Sequence, residues 1–300
     1  TSFTDGNFIF TKTSDSEASL SGLSESFTGT DLTVPATASD GTAYYSVTSV
    51  AAGALSKSGV KTLTISASVK SFGGQDLPDL TSVSAADGNT DFIVKSGVLF
   101  SVNGSESTLV LYPAALEADL YVIPAGTSSV AAMAFSSVKN LKTVVIPDGL
   151  NTIEEKAFNS FVNPLAVAFS TVNAPASVAD KAFYLDKAKG NVFYFENSDV
   201  LSKIEKTAPA FAYSPAMYDE NGVLTADSSS VISYVTDGIP ADIKSAADAV
   251  YNVAAAASVE PEETAALVGT ADTAGADAKI AKGCYRISSA LSSSVSVNIS

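Results

Sequence analysis

Tyr121-Val-Ile-Pro-Ala-Gly-Thr-Ser-Ser-Val-Ala-Ala-Met-Ala-Phe135 and Leu141-Lys-Thr-Val-Val-Ile-Pro-Asp-Gly-Leu-Asn-Thr-Ile-Glu-Glu-Lys-Ala-Phe158 are one phrase written twice. Ile123-Pro124 recurs as Ile146-Pro147, Val130 as Ile153 and Ala134-Phe135 as Ala157-Phe158, each 23 residues on. Several residue types agreeing at one interval mark an internal repeat, and a period in the low twenties marks an array with one coil per repeat. Leu141, Val144 and Ile146 form one apolar face of a short strand. Pro147 ends that strand, having no N–H for a ladder, and Asp148-Gly149 turns the chain. Ile153, Ala157 and Phe158 then offer an aliphatic, a small and a large aromatic group to one interior. A coil this short cannot bury those groups alone, but stacked neighbours can.

Ile-Pro, a hydrophobic residue with x-x-x-Ala-Phe, then Leu-x-x-Val-x-Ile-Pro resembles the BspA-type leucine-rich repeat, most closely over 45–205. It departs in detail, since Ala131 and Glu154 stand where that repeat usually has glycine. The resemblance implies a bacterial surface or secreted protein concerned with adhesion rather than catalysis. The expected fold is a solenoid of leucine-rich-repeat-like coils, mainly β. It has a ladder of short parallel strands, irregular or short helical turns, and β-hairpin insertions.

Outward from the two clear repeats, residues 1–45 read as an N-terminal β cap, with a turn at Asp5-Gly6-Asn7 and a degenerate coil end at Asp31–Pro35. A terminal repeat must cover an apolar face. Residues 46–205 read as the repeats proper, with Val50 recurring as Phe72, strands around Leu63 and Val83, and a last coil at Val178 to Phe183. Near 91–124 two apolar runs across Asn103-Gly104 predict an inserted hairpin. In 206–300 the pattern decays into a divergent continuation and a cap or small domain. There Val223-Leu224 with Val231–Tyr234 echoes the hairpin and Ile239-Pro240 to Val250 echoes a coil. Pro261-Glu-Glu-Thr reads as a helix start and Cys284–Ser300 as a final strand.

The formal charge of −15, with 17 basic against 32 acidic residues, opposes nucleic acid, which needs clustered cations to release counterions. The same charge makes an anionic membrane surface an unfavourable partner, and it favours solubility. No run approaches the roughly 20 apolar residues of a membrane helix, so no membrane insertion is expected. The chain opens at Thr1 without Met, as a mature or trimmed chain whose signal peptide has been removed would. The lone Cys284 allows no intramolecular disulfide and reads as a small buried residue.

Chemistry is sparse. There is no histidine, which removes His-dependent triads and the usual zinc sites. Ser136-Ser-Val-Lys139 matches Ser-x-x-Lys without its companion motifs and falls on a turn between coils. Glu154-Glu155 and Glu260, Glu262 and Glu263 are the densest acids; glycoside hydrolysis would need such a pair at about 5–10 Å. The first pair reads as repeat surface and the second as a helix start. Asp87-Gly-Asn-Thr-Asp91 is faintly calcium-like but reads better as a turn. Asn103 and Asn298 head glycosylation sequons. No catalytic residue, cofactor or metal is therefore expected.

What remains is surface. The outward residues of the strands predict one continuous face of Thr62, Thr64, Ser82, Ser84, Thr143 and Val145 as the candidate binding face. Phe193, Tyr194, Phe195, Tyr213 and Tyr218 are the alternatives, as exposed aromatics or as packing. The expected partner is a protein or glycan on a host or microbial surface. The other readings are a structural stalk projecting another domain and, last, a carbohydrate-active enzyme.

Overall fold

The computed structural model describes residues 1–56, 59–185, 190–225 and 228–257. The chain forms two compact units, Thr1–Lys244 and Ser245–Ser300. In the second, the described residues 245–257 are helical.

In the first unit the repeats stack their strands into three parallel ladders. One runs Leu120–Val122, Thr143–Pro147, Ala166–Ser170, Asn191–Phe195 and Ile232–Val235. A second continues from Glu106–Leu111 through Ser129–Val130, Thr152–Ile153 and Ser177–Val178. The third joins Phe135–Ser136, Phe158–Asn159, Phe183–Tyr184 and Ala212–Tyr213. The repeat interval is the register: Val130 lies beside Ile153 and Phe135 beside Phe158. The next coil is two residues longer, yet Ile153 still meets Val178 and Phe158 meets Phe183. A turn absorbs the excess, where Thr171 donates to Asp148 Oδ1 at 2.6 Å and accepts the Asn173 N–H.

In-register parallel pairing puts like residues one strand spacing apart, about 4.8 Å. The buried rings of Phe135, Phe158 and Phe183 therefore form a column with centroids 4.6 and 4.4 Å apart, continued by Tyr112 at 5.0 Å from Phe135. Near-parallel stacking of this kind adds to what burial alone contributes.

At the other end, Ser2–Asp5, Phe8–Lys12 and Glu17–Leu23 form an antiparallel meander, and Glu17–Leu23 then pairs in parallel with Tyr44–Val50. Asp31–Thr33, Thr62–Ile65 and Ser82–Ala85 make a shorter parallel ladder, and Val50 lies beside Phe72.

The insertion between these stacks is not the single hairpin expected. Ser96-Gly97, both at positive φ, add a turn and make three antiparallel strands, Phe92–Lys95, Val98–Asn103 and Glu106–Leu111. The interruption is also shorter than 91–124, since Leu120–Val122 is already a rung. Val98, Phe100 and Leu109 enter the C-terminal core, while Leu99, Val110 and Leu111 enter the N-terminal one. Consecutive apolar residues are what a strand buried on both faces needs. The meander is a wall with a core on each side. Behind it the coils still meet: Asp76 Oδ1 accepts from Ser136 and Ser137, and Lys139 pairs with Asp79 at 2.8 Å.

Two C-terminal expectations fail. Val231–Tyr234 does not form a hairpin with Val223-Leu224; Ile232–Val235 is a parallel rung beside Asn191–Phe195, and Leu224 bridges to Tyr218. Ile239-Pro240 to Val250 is not a coil but runs into the helix Ala241–Ala257. It has alanines where a coil needs a large apolar anchor, and alanine favours helix. The helix Ser198–Thr207 was unforeseen; Asn197 caps it, and Val200 and Ile204 are its buried face. The expected Pro261 helix, the Cys284–Ser300 strand, Glu260, Glu262, Glu263 and Asn298 lie outside the described residues.

Candidate functional site

Thr62 pairs with Ser82 and Thr64 with Ser84 across neighbouring strands, so these four form one patch. Leu63, Ile65 and Val83 between them point into the core. Both serines are exposed and both threonines half-buried. Two of the hydroxyl contacts are already made: the Thr64 and Ser84 hydroxyls lie 3.0 Å apart, and Thr62 donates to Asp31 on the neighbouring strand. Thr143 and Val145 stand on a different sheet, so the single continuous face is two. Thr143 is half-buried, but Val145 is fully buried and cannot serve as outer face. Its neighbours along the rungs, Val122 and Ala168, are buried too. Val144-Val145-Ile146 is apolar at successive positions, the pattern of a strand covered on both sides rather than one.

The chemical motifs resolve into structural roles. The Ser136 and Ser137 hydroxyls bind Asp76 while Lys139 binds Asp79, so the Ser-x-x-Lys groups are held by two separate carboxylates. Glu154 Oε2 accepts the Ala132 N–H at 2.9 Å. In the Asp87–Asp91 turn, Asn89 Oδ1 accepts the N–H groups of Asp91 and Phe92, and its Nδ2 donates to Ser66 and Val69 carbonyls. Among the described residues no three His, Cys, Asp or Glu side chains gather to hold a metal. Burial pushes the Tyr112 phenol up to about 12 and the Tyr121 phenol higher still, so both stay protonated at neutral pH.

Of the expected aromatics, Phe193 and Phe195 are fully buried core. Tyr213 and Tyr218 instead join Tyr184 in a half-buried row, with centroids 5.2 and 5.3 Å apart. Tyr184 and Tyr213 follow the buried Phe183 and Ala212, so alternation turns them outward. Two lysines lie along the row. Lys156 Nζ sits 5.4 Å from the Tyr184 centroid and Lys181 Nζ 5.1 Å from that of Tyr213. Both lysines occupy the same left-handed corner of successive coils, at φ 55° and 58°, and the Lys156 N–H donates to the Lys181 carbonyl. The reading of the sequence missed Tyr184 and the lysines. The available signal was that Lys156 and Lys181 share the interval of Phe158 and Phe183.

Stacked coils that each supply one rung to several parallel ladders define a repeat protein. Residues 117–213 match the BspA type leucine rich repeat region in six copies. No curated protein sequence matches the chain. Similar solved structures include a leucine rich cell surface protein from Faecalibacterium prausnitzii, at 13% identity over 82% of this chain and 97% of that one, TM-score 0.28. Leucine-rich repeat proteins from Bacteroides ovatus (12% identity, 78% and 76% covered, TM-score 0.29) and Eubacterium ventriosum (16%, 59% and 53%, TM-score 0.33) are also similar.

Proposed function

We propose that this chain is a leucine-rich-repeat solenoid that acts without catalysis, secreted or displayed on a bacterial surface, and binds a protein or glycan of a host or microbial surface. The observation that carries the reading is the repetition itself. One coil written in register lays equivalent outward residues in rows, and such rows make the extended surfaces that repeat proteins use for binding. In this proposal 46–205 is the recognition scaffold, 1–45 closes one end and 206–300 continues it. Thr62, Thr64, Ser82, Ser84 and Thr143 remain its hydroxyl-bearing contact residues. The test is a binding screen of the purified chain against matrix proteins, mucin and a glycan panel. A specific, saturable hit that is weakened by Thr64→Lys/Ser84→Lys supports both the reading and that patch. No binding to any of them removes the adhesin reading. A stalk that only projects another domain is the second reading, favoured by a patch in which the Thr62, Thr64 and Ser84 hydroxyls already have partners within the protein.

A further inference from the structure

The short parallel ladder of Asp31–Thr33, Thr62–Ile65 and Ser82–Ala85 ends on an open edge. Ser82 N–H donates to the Lys61 carbonyl and Ala86 N–H to that of Ile65. Peptide groups of successive residues point to opposite edges of a strand, so those of Val83 and Ala85 point away from the ladder. The next strand, Phe92–Lys95, is the last of another sheet. There Val102 N–H donates to the Asp91 carbonyl, and Ile93 lies opposite Phe100. By the same alternation Phe92 and Val94 turn their peptide groups outward. Val83, Ala85, Phe92 and Val94 all line one groove of about 470 Å³. Asn89 Oδ1 takes the Phe92 N–H. Among the described residues, the N–H groups of Val83, Ala85 and Val94 have no partner across the groove.

Two sheet edges bordering one groove suit a strand laid between them and bonded to both. The groove is braced in advance: Asn89 Nδ2 holds the Ser66 and Val69 carbonyls, and its Oδ1 the Asp91 and Phe92 N–H groups. A site fixed beforehand loses less freedom on binding. Exposed edges are usually blunted by lysine, proline or a bulge. Ser82-Val-Ser-Ala85 has none of these, and its register with Thr62–Ile65 runs without a shift.

The rungs already present dictate the occupant. Leu32, Leu63 and Val83 form a buried column, and Thr33, Thr64 and Ser84 a row on the other face. One more rung in register alternates aliphatic with hydroxyl side chains. Just past it stands Asp87, an exposed groove residue with no ion pair among the described residues, which selects a cation at that end. A second copy of a chain of charge −15 meets repulsion instead.

We propose that this groove binds an extended segment of a partner protein, laid parallel to Ser82–Ala85, with aliphatic and hydroxyl residues alternating and a lysine or arginine beside Asp87. This rests on the reading of the chain as a binding scaffold, and it names the kind of partner and the place.

The probe is acetyl-Ser-Val-Ser-Val-Ser-Lys-amide, titrated into the full chain by calorimetry, with amide hydrogen exchange followed by NMR. The peptide binds saturably, and exchange at Val83, Ala85 and Val94 slows only in the complex. Methylating the amide of the first valine, or of the serine after it, weakens binding at least about tenfold, the scale of a hydrogen bond left unmade. Successive amides face opposite strands, so insertion between two edges needs both. The scrambled acetyl-Val-Val-Ser-Ser-Ser-Lys-amide is weaker by at least about the same factor. Glutamate in place of the lysine weakens binding a few-fold, and Asp87→Asn removes that difference. Ala85→Pro, which takes away one groove-facing N–H and no ladder bond, abolishes peptide binding. If that variant folds poorly, the exchange data on the unaltered chain still decide. No binding of the peptide, binding without protection of those three amides, or sensitivity to only one of the two methyl groups overturns the proposal. So does protection of the three amides before peptide is added, the sign that the chain or a second copy already fills the groove. A chain that ignores the peptide but still binds mucin or a matrix protein loses this site and keeps the scaffold reading.

Discussion

Between Leu120 and Phe183 the coils stack with backbone ladders and a column of rings, Phe135, Phe158 and Phe183, at 4.6 and 4.4 Å. Where coils fail to follow one another directly, a buried amide stands in. Gln75, 1% exposed, precedes the inserted wall; its Oε1 accepts the Leu55 N–H and its Nε2 donates to the Ala51 and Gly73 carbonyls. Asn191, also 1% exposed, precedes the excursion to the last rung; it accepts from Leu165 N–H and donates to the Val231 carbonyl. Regular coils meet their neighbours mainly through backbone ladders, with side chains such as Glu154 and Asn163 adding single bonds between coils. At a junction the next backbone is displaced, and a side-chain amide, with one acceptor and two donors, replaces the missing peptide group.

The largest break in that comparison is expected from Phe158→Ala, which removes both ring stacks and empties a site that rigid coils cannot refill. The loss should be about 3–5 kcal/mol by denaturant unfolding, at the upper end of large-to-small core changes. Gln75→Leu keeps volume but leaves the Leu55 N–H and two carbonyls without the amide, so about 2–3 kcal/mol is expected in the same measurement. The matching change at the exposed Asn140 should be close to neutral, and equal losses at the two positions would defeat the junction argument. Gly74→Ala should cost about 1–3 kcal/mol as overpacking, because its new Cβ would lie 2.7 Å from the Ala132 carbonyl oxygen and 2.8 Å from Met133 Cβ.

The N-terminal meander adds a pH-dependent case. Hydrogen bonds first from the Lys12 ammonium, then from Thr42 and the Ala43 N–H, hold the Asp40 carboxyl far below the ordinary carboxylate range. A depressed folded value stabilises above the unfolded pKa of about 3.9 and is lost as pH falls toward the folded value. Asp40→Asn should therefore melt lower than the parent at neutral pH, with the difference shrinking progressively below about pH 4. A difference independent of pH would show that Asp40 acts by shape alone. The smallest expected change has the opposite sign. Ser160 holds φ 57° at a repeated corner, and Ser160→Gly should relieve that strain for a gain of about 0.5 kcal/mol or less, after the entropy cost of glycine.

The repeat was legible because it is a one-dimensional code: Ile123, Val130 and Phe135 recur at the interval that later becomes register. The Asn103-Gly104 turn was legible for its local chemistry. The wall was only half legible, because Val98-Leu99-Phe100 says that both faces are buried without saying against what. Val145 shows the same limit from the other side. Alternation placed it outward, and only its neighbours Val122 and Ala168 disclose that the outer face is covered too. The tyrosine row was harder still, since Tyr184, Tyr213 and the two lysines come from three coils and no local pattern joins them.

Composition and period thus determined the architecture of the coil, its short parallel strands and its ring column, because each follows from residues within one repeat of each other. Only the tertiary structure decided which outward positions are surface, how the inserted strands divide one core from the other, and which side chains from separate coils share a row. Those outcomes depend on what packs against a residue from far along the chain, and one coil's sequence carries no record of that.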